Sequence, residues 1–185
     1  MSNGFRFLIR DGLESDVAAC LALDSTYETE YVWQMSVLQD GDRWGVIFQT
    51  ERLPRLLEAT HVMQEQRLRL ALPDQQCFLV AVGRGEIETV LGCLVMRHDP
   101  SRQIAWVQDV VVAPPFRRRR IGTRLLNVAR QWAVEHHAGR LMVETHTRNY
   151  PAILFCQSFG LAFCGFNDQY FANQDIAIFF GQTLR

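Results

Sequence analysis

A chain of 185 residues with 48% apolar side chains carries enough hydrophobic material for one compact domain with its own core. A formal net charge of −1 excludes the dominant basic surface that a general nucleic-acid binder needs. No apolar run approaches a membrane span and Met1–Arg6 lacks the apolar stretch of a secretion signal, so no membrane partner is expected and the cytoplasm is the expected location. The five cysteines (Cys20, Cys77, Cys93, Cys156 and Cys164) are scattered, mostly among apolar neighbours, and read as reduced and buried, without metal-ligand spacing. All 19 basic residues are arginine, which stays protonated and forks onto phosphate.

In chain order, Arg6–Arg10 is predicted as a first strand and Ser15–Leu23 as a capped helix. Asp24–Trp33 reads as a loop rich in aromatics and carboxylates. Its Tyr27, Glu28, Glu30, Tyr31 and Trp33 suit a cationic amine, by charge and by cation–π contact, and equally suit a surface loop anchored by aromatics. Trp44, Phe48 and His61 read as packing or surface residues. Glu51–Leu72 is predicted to be helical in part, with Pro54 marking an early start or a break. Strands follow at Cys77–Val82, Val90–Met96 and Ile104–Val112, the first two joined by Gly83-Arg84-Gly85-Glu86. Helix Ile121–His136, strand Leu141–His146, helix Pro151–Phe159 and two last strands complete an α/β order, a mixed sheet with helices on both faces.

The most informative stretch is Val107–Leu126. An apolar β-branched strand stops at Pro114-Pro115, and a helix with Ile121, Leu125, Leu126, Ala129 and Ala133 at helical spacing begins after Arg117–Arg120. The unpaired amides at that helix start, the surrounding arginines and the backbone access at Gly122 imply an anionic ligand, a phosphate. Arginine clusters alone are more often solvated faces or nucleic-acid contacts. The double proline before the run and Gly122-Thr123 after it are what favour a phosphate site.

Arg117–Gly122 resembles the Arg/Gln-x-x-Gly-x-Gly/Ala signature of the GNAT acyltransferases, with Arg120 standing where the signature has its first glycine. Asn149, Ala152, Phe155 and Gly160 match a second family pattern, Asn-x-x-Ala-x-x-Phe-Tyr-x-x-x-Gly-Phe, position by position. With the segment Gly139–Thr145 and the tail Phe163–Phe180, the chain is similar to the streptothricin-acetyltransferase-like branch, over roughly residues 75 to 185. The resemblance implies a mixed, mostly antiparallel sheet of about seven strands with a splayed strand pair holding acyl-CoA. It implies one domain over 1–185, with about 1–75 on the acceptor side and about 76–185 as the cofactor-binding core. It assigns acetyl-CoA, or another acyl-CoA, to the main chain of Val110, Val111 and Val112, to Arg117, Arg118, Arg119, Arg120, Ile121, Gly122 and Thr123, and to Asn149, Ala152 and Phe155.

Acyl transfer to an amine needs a stabilised oxyanion, a deprotonated nucleophile and a leaving thiolate. Asp109 is the one ionisable group in strand 104–112, and it either handles the amine or makes a structural hydrogen bond. Glu144 has the same two readings. The family's proton-donating tyrosine falls at Cys156. The acid is therefore Cys156, a tyrosine such as Tyr150 or Tyr170, or no side chain at all. The expected activity is direct acetyl transfer to a small-molecule amine in a ternary complex. Acetylation of a protein or peptide, and a CoA-binding regulatory module without turnover, are the alternatives. A homodimer is compatible with the sequence.

Overall fold

The computed structural model describes residues 6–72, 76–83, 85 and 88–184. Strand β1 (Phe7–Asp11) leads through a 3-10 turn (Glu14–Asp16) into α1 (Val17–Leu21), and β2 (Thr26–Asp40) and β3 (Arg43–Thr60) form a long hairpin. Then come α2 (Glu65–Leu70), β4 (Cys77–Gly83), β5 (Thr89–Asp99), β6 (Ile104–Val112) and a 3-10 turn at Pro114–Phe116. Helix α3 (Ile121–Glu135), β7 (Arg140–His146), α4 (Tyr150–Phe159), β8 (Ala162–Asn167) and β9 (Ala177–Thr183) finish the chain. Seven strands form one sheet in the order β1-β4-β5-β6-β7-β9-β8, and β2-β3 is a separate two-stranded sheet. The pairs β1–β4, β4–β5 and β5–β6 are antiparallel and β6–β7 is parallel.

Two expectations need correction. The helix expected within part of Glu51–Leu72 is confined to Glu65–Leu70, and residues 51–60 belong instead to β3, which runs to Thr60. Residues 51–60 look helical by composition, but Thr26–Thr29 of β2 pair with Leu57–Thr60, and that non-local ladder overrides local propensity. Pro54 sits where the register jumps from Tyr31↔Arg52 to Thr29↔Leu57, a place where its missing N–H breaks no ladder bond. The loop expected at Asp24–Trp33 is likewise mostly strand, β2 from Thr26 onward. In the expected Gly83–Glu86 connection, Arg84 and Glu86 lie outside the described residues.

The chain divides into two compact units. The first comprises residues 1–25, 61–143 and 181–185. Its strand β4 is buried on both faces. Phe78, Val80 and Val82 join Val17, Cys20, Leu68, Cys93, Val95 and Val111 in a core beneath α1 and α2. The two-residue alternation sends Leu79 and Ala81 to the opposite face, where α3 buries Leu125, Leu126, Ala129 and Ala133. Arg10 ties β1 to the first helical turn through hydrogen bonds of 2.6 and 3.0 Å to Asp16, which also accepts from the Leu13 amide.

The second unit comprises residues 26–60 and 144–180. Trp33 packs against Phe48, Phe163 and Phe180, and Phe48 against Phe166. The hairpin is therefore anchored at its base by aromatic contacts. Toward its tip, Val37, Leu38, Trp44 and Ile47 are exposed.

Candidate active site

The pairing of β6 with β7 covers only Ile104–Val107 against Arg140–Val143. Directly after it, Val107 pairs with Met96 of β5 and Asp109 with Val95, so Gln108 is the extra residue of a bulge. The following strand residues, through Val112, keep their ladder to β5. The main-chain groups of Val110 to Val112 that would face β7 are thereby released from that ladder. A cavity of about 250 Å³ beside the bulge is lined by Arg67, Leu70, Ala71, Gln76, Met96, Arg97 and Gln108.

Past the strand, the arginine run forms a tight basic turn. Arg118 and Arg120 both adopt left-handed backbone, at φ 62° and φ 64°, and Arg120 is the residue that caps α3. Left-handed residues alternating with ordinary ones turn successive amides inward, as in anion-binding nests. Ile121 is buried and fixes the first turn of α3, while Gly122 and Thr123 are partly exposed beside it. Arg118, Arg119 and Arg120 are exposed, whereas Arg117 is half-buried and donates from Nε to the Val112 carbonyl at 2.8 Å. Arg117 thus clips the turn to the end of β6. Burial lowers its pKa from the usual guanidinium value, against the opposing field of Asp24.

On the other side of β6, Asp109 is brought against His61 and Arg67. Its side chain is 0% exposed, Oδ1 lies 2.6 Å from His61 Nε2, and Arg67 Nη1 lies 3.7 Å from Oδ2. Among the described residues, Oδ2 has no hydrogen-bond partner. Sequence reasoning singled out Asp109 and passed over His61, which it read as packing or surface. The partners are 48 positions apart, so only the tertiary fold reveals them.

In the second unit, Asn149 caps α4, its Oδ1 accepting from the Ala152 amide at 3.1 Å. Ala152 and Phe155 are half-buried, and Phe155 packs near Phe159. Cys156 is 1% exposed, and burial pushes its thiol up to about 12. Tyr170 donates its hydroxyl hydrogen to Glu144 at 2.9 Å, bringing together two of the expected catalytic residues. The five expected acceptor residues differ in burial along β2, whose register shifts between Thr29 and Tyr31. Tyr27 is buried with its hydroxyl 3.4 Å from His146 Nε2, and burial, then the Asp175 charge, pushes it up to about 12. Trp33 belongs to the aromatic cluster at the hairpin base. Glu28 and Glu30 are exposed, Glu30 within 3.5 Å of Arg52, and Tyr31 is exposed beside the Tyr150 ring.

The family model described as acetyltransferase (GNAT) family matches residues 38–161, which contain both the arginine turn and the Asn149 helix. The chain belongs to the GNAT acetyltransferase family. As a GNAT acetyltransferase it transfers the acetyl group of acetyl-CoA to an amino group. Streptothricin acetyltransferase of Streptomyces lavendulae is 26% identical over 171 residues, covering 89% of this chain and 86% of that protein. The crystal structure of nourseothricin acetyltransferase shares the fold with a TM-score of 0.81 at 23% identity, covering 97% of this chain and 99% of that one. A putative streptothricin acetyltransferase from Bacillus anthracis, crystallised in complex with acetyl coenzyme A, aligns with a TM-score of 0.77 at 21% identity over 99% of this chain and 100% of that one. In this acetyltransferase the turn has the features of an anion site: two left-handed residues, a helix N-terminus and exposed arginines fall on one short segment. No helix of the described residues is long and apolar enough to cross a membrane.

Proposed function

We propose that the acceptor is a primary amine of a small, cationic molecule of the streptothricin class, acetylated directly in a ternary complex. The observation that carries this reading is the likeness to the Streptomyces lavendulae streptothricin acetyltransferase. It extends over 89% of the chain and so reaches beyond the cofactor-binding motifs. Glu28, Glu30 and Tyr31, exposed on β2, offer carboxylates and an aromatic face to an ammonium group. The whole chain acts as one acetyltransferase domain, because the matched span of residues 38–161 runs through both compact units. Cys20, Cys77, Cys93 and Cys156 are buried thiols, which suit a reducing compartment, and the cytoplasm is the proposed site of action.

Bound acetyl-CoA supplies a thioester carbonyl and a thiolate leaving group. The turn Arg117–Thr123 holds the pyrophosphate, and main-chain groups of Val110, Val111 and Val112 orient the acyl arm. In the second unit, Asn149, Ala152 and Phe155 are the residues assigned to that arm, although the Asn149 carbonyl oxygen is already engaged as the α4 cap, which leaves its amide hydrogens. Cys156 has no part in proton transfer, since a thiol pushed up to about 12 and closed off from solvent is neither a ready acid nor an accessible one. Tyr170 commits its hydroxyl hydrogen to Glu144, and a thiolate leaves without a side-chain acid.

The test is release of free thiol from acetyl-CoA with streptothricin as acceptor, followed by mass spectrometry of the product, beside a panel of peptides with free N-termini. Streptothricin should gain one acetyl group while the peptides stay unmodified. Turnover confined to the peptides would overturn the proposed acceptor.

A further inference from the structure

His61 and Asp109 form a close pair, 2.6 Å apart, between the segment after β3 and the middle of β6. Burying a carboxylate is costly unless it is paired and hydrogen-bonded, yet Oδ2 of Asp109 is buried without a hydrogen bond and its cation, Arg67, stands off at 3.7 Å. The one short contact of Asp109 is with His61 Nε2. A carboxylate only accepts, so the hydrogen of this contact sits on Nε2, and in the neutral ring the lone pair is then on Nδ1. The His61 side chain keeps 32% of its surface exposed, while Asp109 keeps none. Whatever Asp109 does to a ligand, it does through His61.

The pair is also held in place. The His61 carbonyl accepts from Ser25 Oγ at 2.5 Å, and its amide donates to the Ser25 carbonyl. Asp109 follows the Gln108 bulge and directly precedes Val110–Val112, the main-chain contacts assigned to the acyl arm. Among the described residues, Asp109 also faces Arg67 of α2 and Cys93 of β5, whose thiol donates to Met63 Sδ at 3.5 Å.

We propose that His61 accepts the proton of the acceptor ammonium and that Asp109 is the positioning residue fixing its tautomer and ring orientation. This rests on the amine-acetylating reading above and assigns the group that activates the amine. The ammonium passes one proton to Nδ1 of His61. Its freed electron pair makes the new N–C bond while the C–S bond breaks, and the proton shed by the new amide nitrogen goes to the leaving sulfur. His61 then returns its proton to water. Imidazole is suited to this exchange because one ring nitrogen can accept a proton while the other donates to a carboxylate.

The experiment has two arms. Nitrogen-15 NMR of histidine-labelled protein reads the His61 tautomer without any acceptor: an Nε2–H tautomer that is lost in Asp109→Asn supports the pair, and an Nδ1–H tautomer in the wild type overturns it. In the kinetic arm, with streptothricin and saturating acetyl-CoA, His61→Gln should lower kcat about a hundredfold and abolish the acidic limb of the kcat/KM pH profile. His61→Gly should regain turnover with added imidazole, and Asp109→Asn should lower kcat with KM little changed. An unaltered pH profile in His61→Gln would overturn the proposal. Calorimetric acetyl-CoA binding retained in every variant shows that the fold survives. Absence of turnover by the wild type would refute the proposed acceptor instead, leaving the tautomer to decide the pair.

Discussion

Arg120 holds a left-handed backbone at φ 64° in the position where the family signature has glycine, and a side chain there is strained by about 1 kcal/mol. Arg120→Gly should therefore raise stability by about that amount in urea denaturation, unless the lost guanidinium was holding the turn. Asp16 makes a second prediction. The Arg10 guanidinium holds its carboxyl below the ordinary carboxylate range, against the opposing effect of burial. A folded-state pKa below the unfolded one means the stabilisation is complete above the unfolded carboxylate range and is lost as pH falls through the folded value. Asp16→Asn should cost about 2 kcal/mol at neutral pH, with the gap to wild type closing in acid, as read from denaturation midpoints. Cys156→Ala should retain turnover and lose only packing energy, about 1 kcal/mol for a small buried side chain. A large fall in kcat would return the thiol to the mechanism.

At the scale of elements, β5 and β6 approach so closely that a Cβ on Gly92 would stand 2.5 Å from the Val111 carbonyl oxygen and 3.2 Å from Val112 Cα. Gly92→Ala should destabilise by about 1–3 kcal/mol through overpacking, and should weaken acetyl-CoA binding because it displaces the strand that orients the acyl arm. Thermal denaturation and calorimetry together check both effects. How legible each element was follows from how local its cause is. Strand β4 was visible in the sequence because Cys77–Val82 is a short apolar run rich in strand formers. Helix α4 was visible because Asn149 and Gly160 mark its ends, the cap at Ala152 and the left-handed φ of 90° being consequences of those residues. Strand β3 was not visible, because Glu51–Thr60 has helical composition and becomes a strand only by pairing with β2 across the chain.

Across the whole molecule the same distinction separates the cofactor turn from the acceptor side. The turn is contiguous, so strand, prolines, arginines and helix start could be read in one pass. The pairing of His61 with Asp109 needs the first unit folded, and the burial of Tyr27 beside His146 and the place of Trp33 among Phe48, Phe163 and Phe180 follow only from tertiary packing. The family span of residues 38–161 contains the turn proposed to bind the pyrophosphate of acetyl-CoA. Charge reversal at Arg118 should weaken that binding about tenfold, the worth of one charge-assisted contact of about 1.5 kcal/mol. The most direct test is calorimetric titration of acetyl-CoA into the wild-type protein and into Gly122→Trp, whose indole would fill the space over the first turn of α3. Micromolar binding by the wild type that is lost in a folded Gly122→Trp is the predicted result. Equal binding by both, or none by the wild type, would contradict the account.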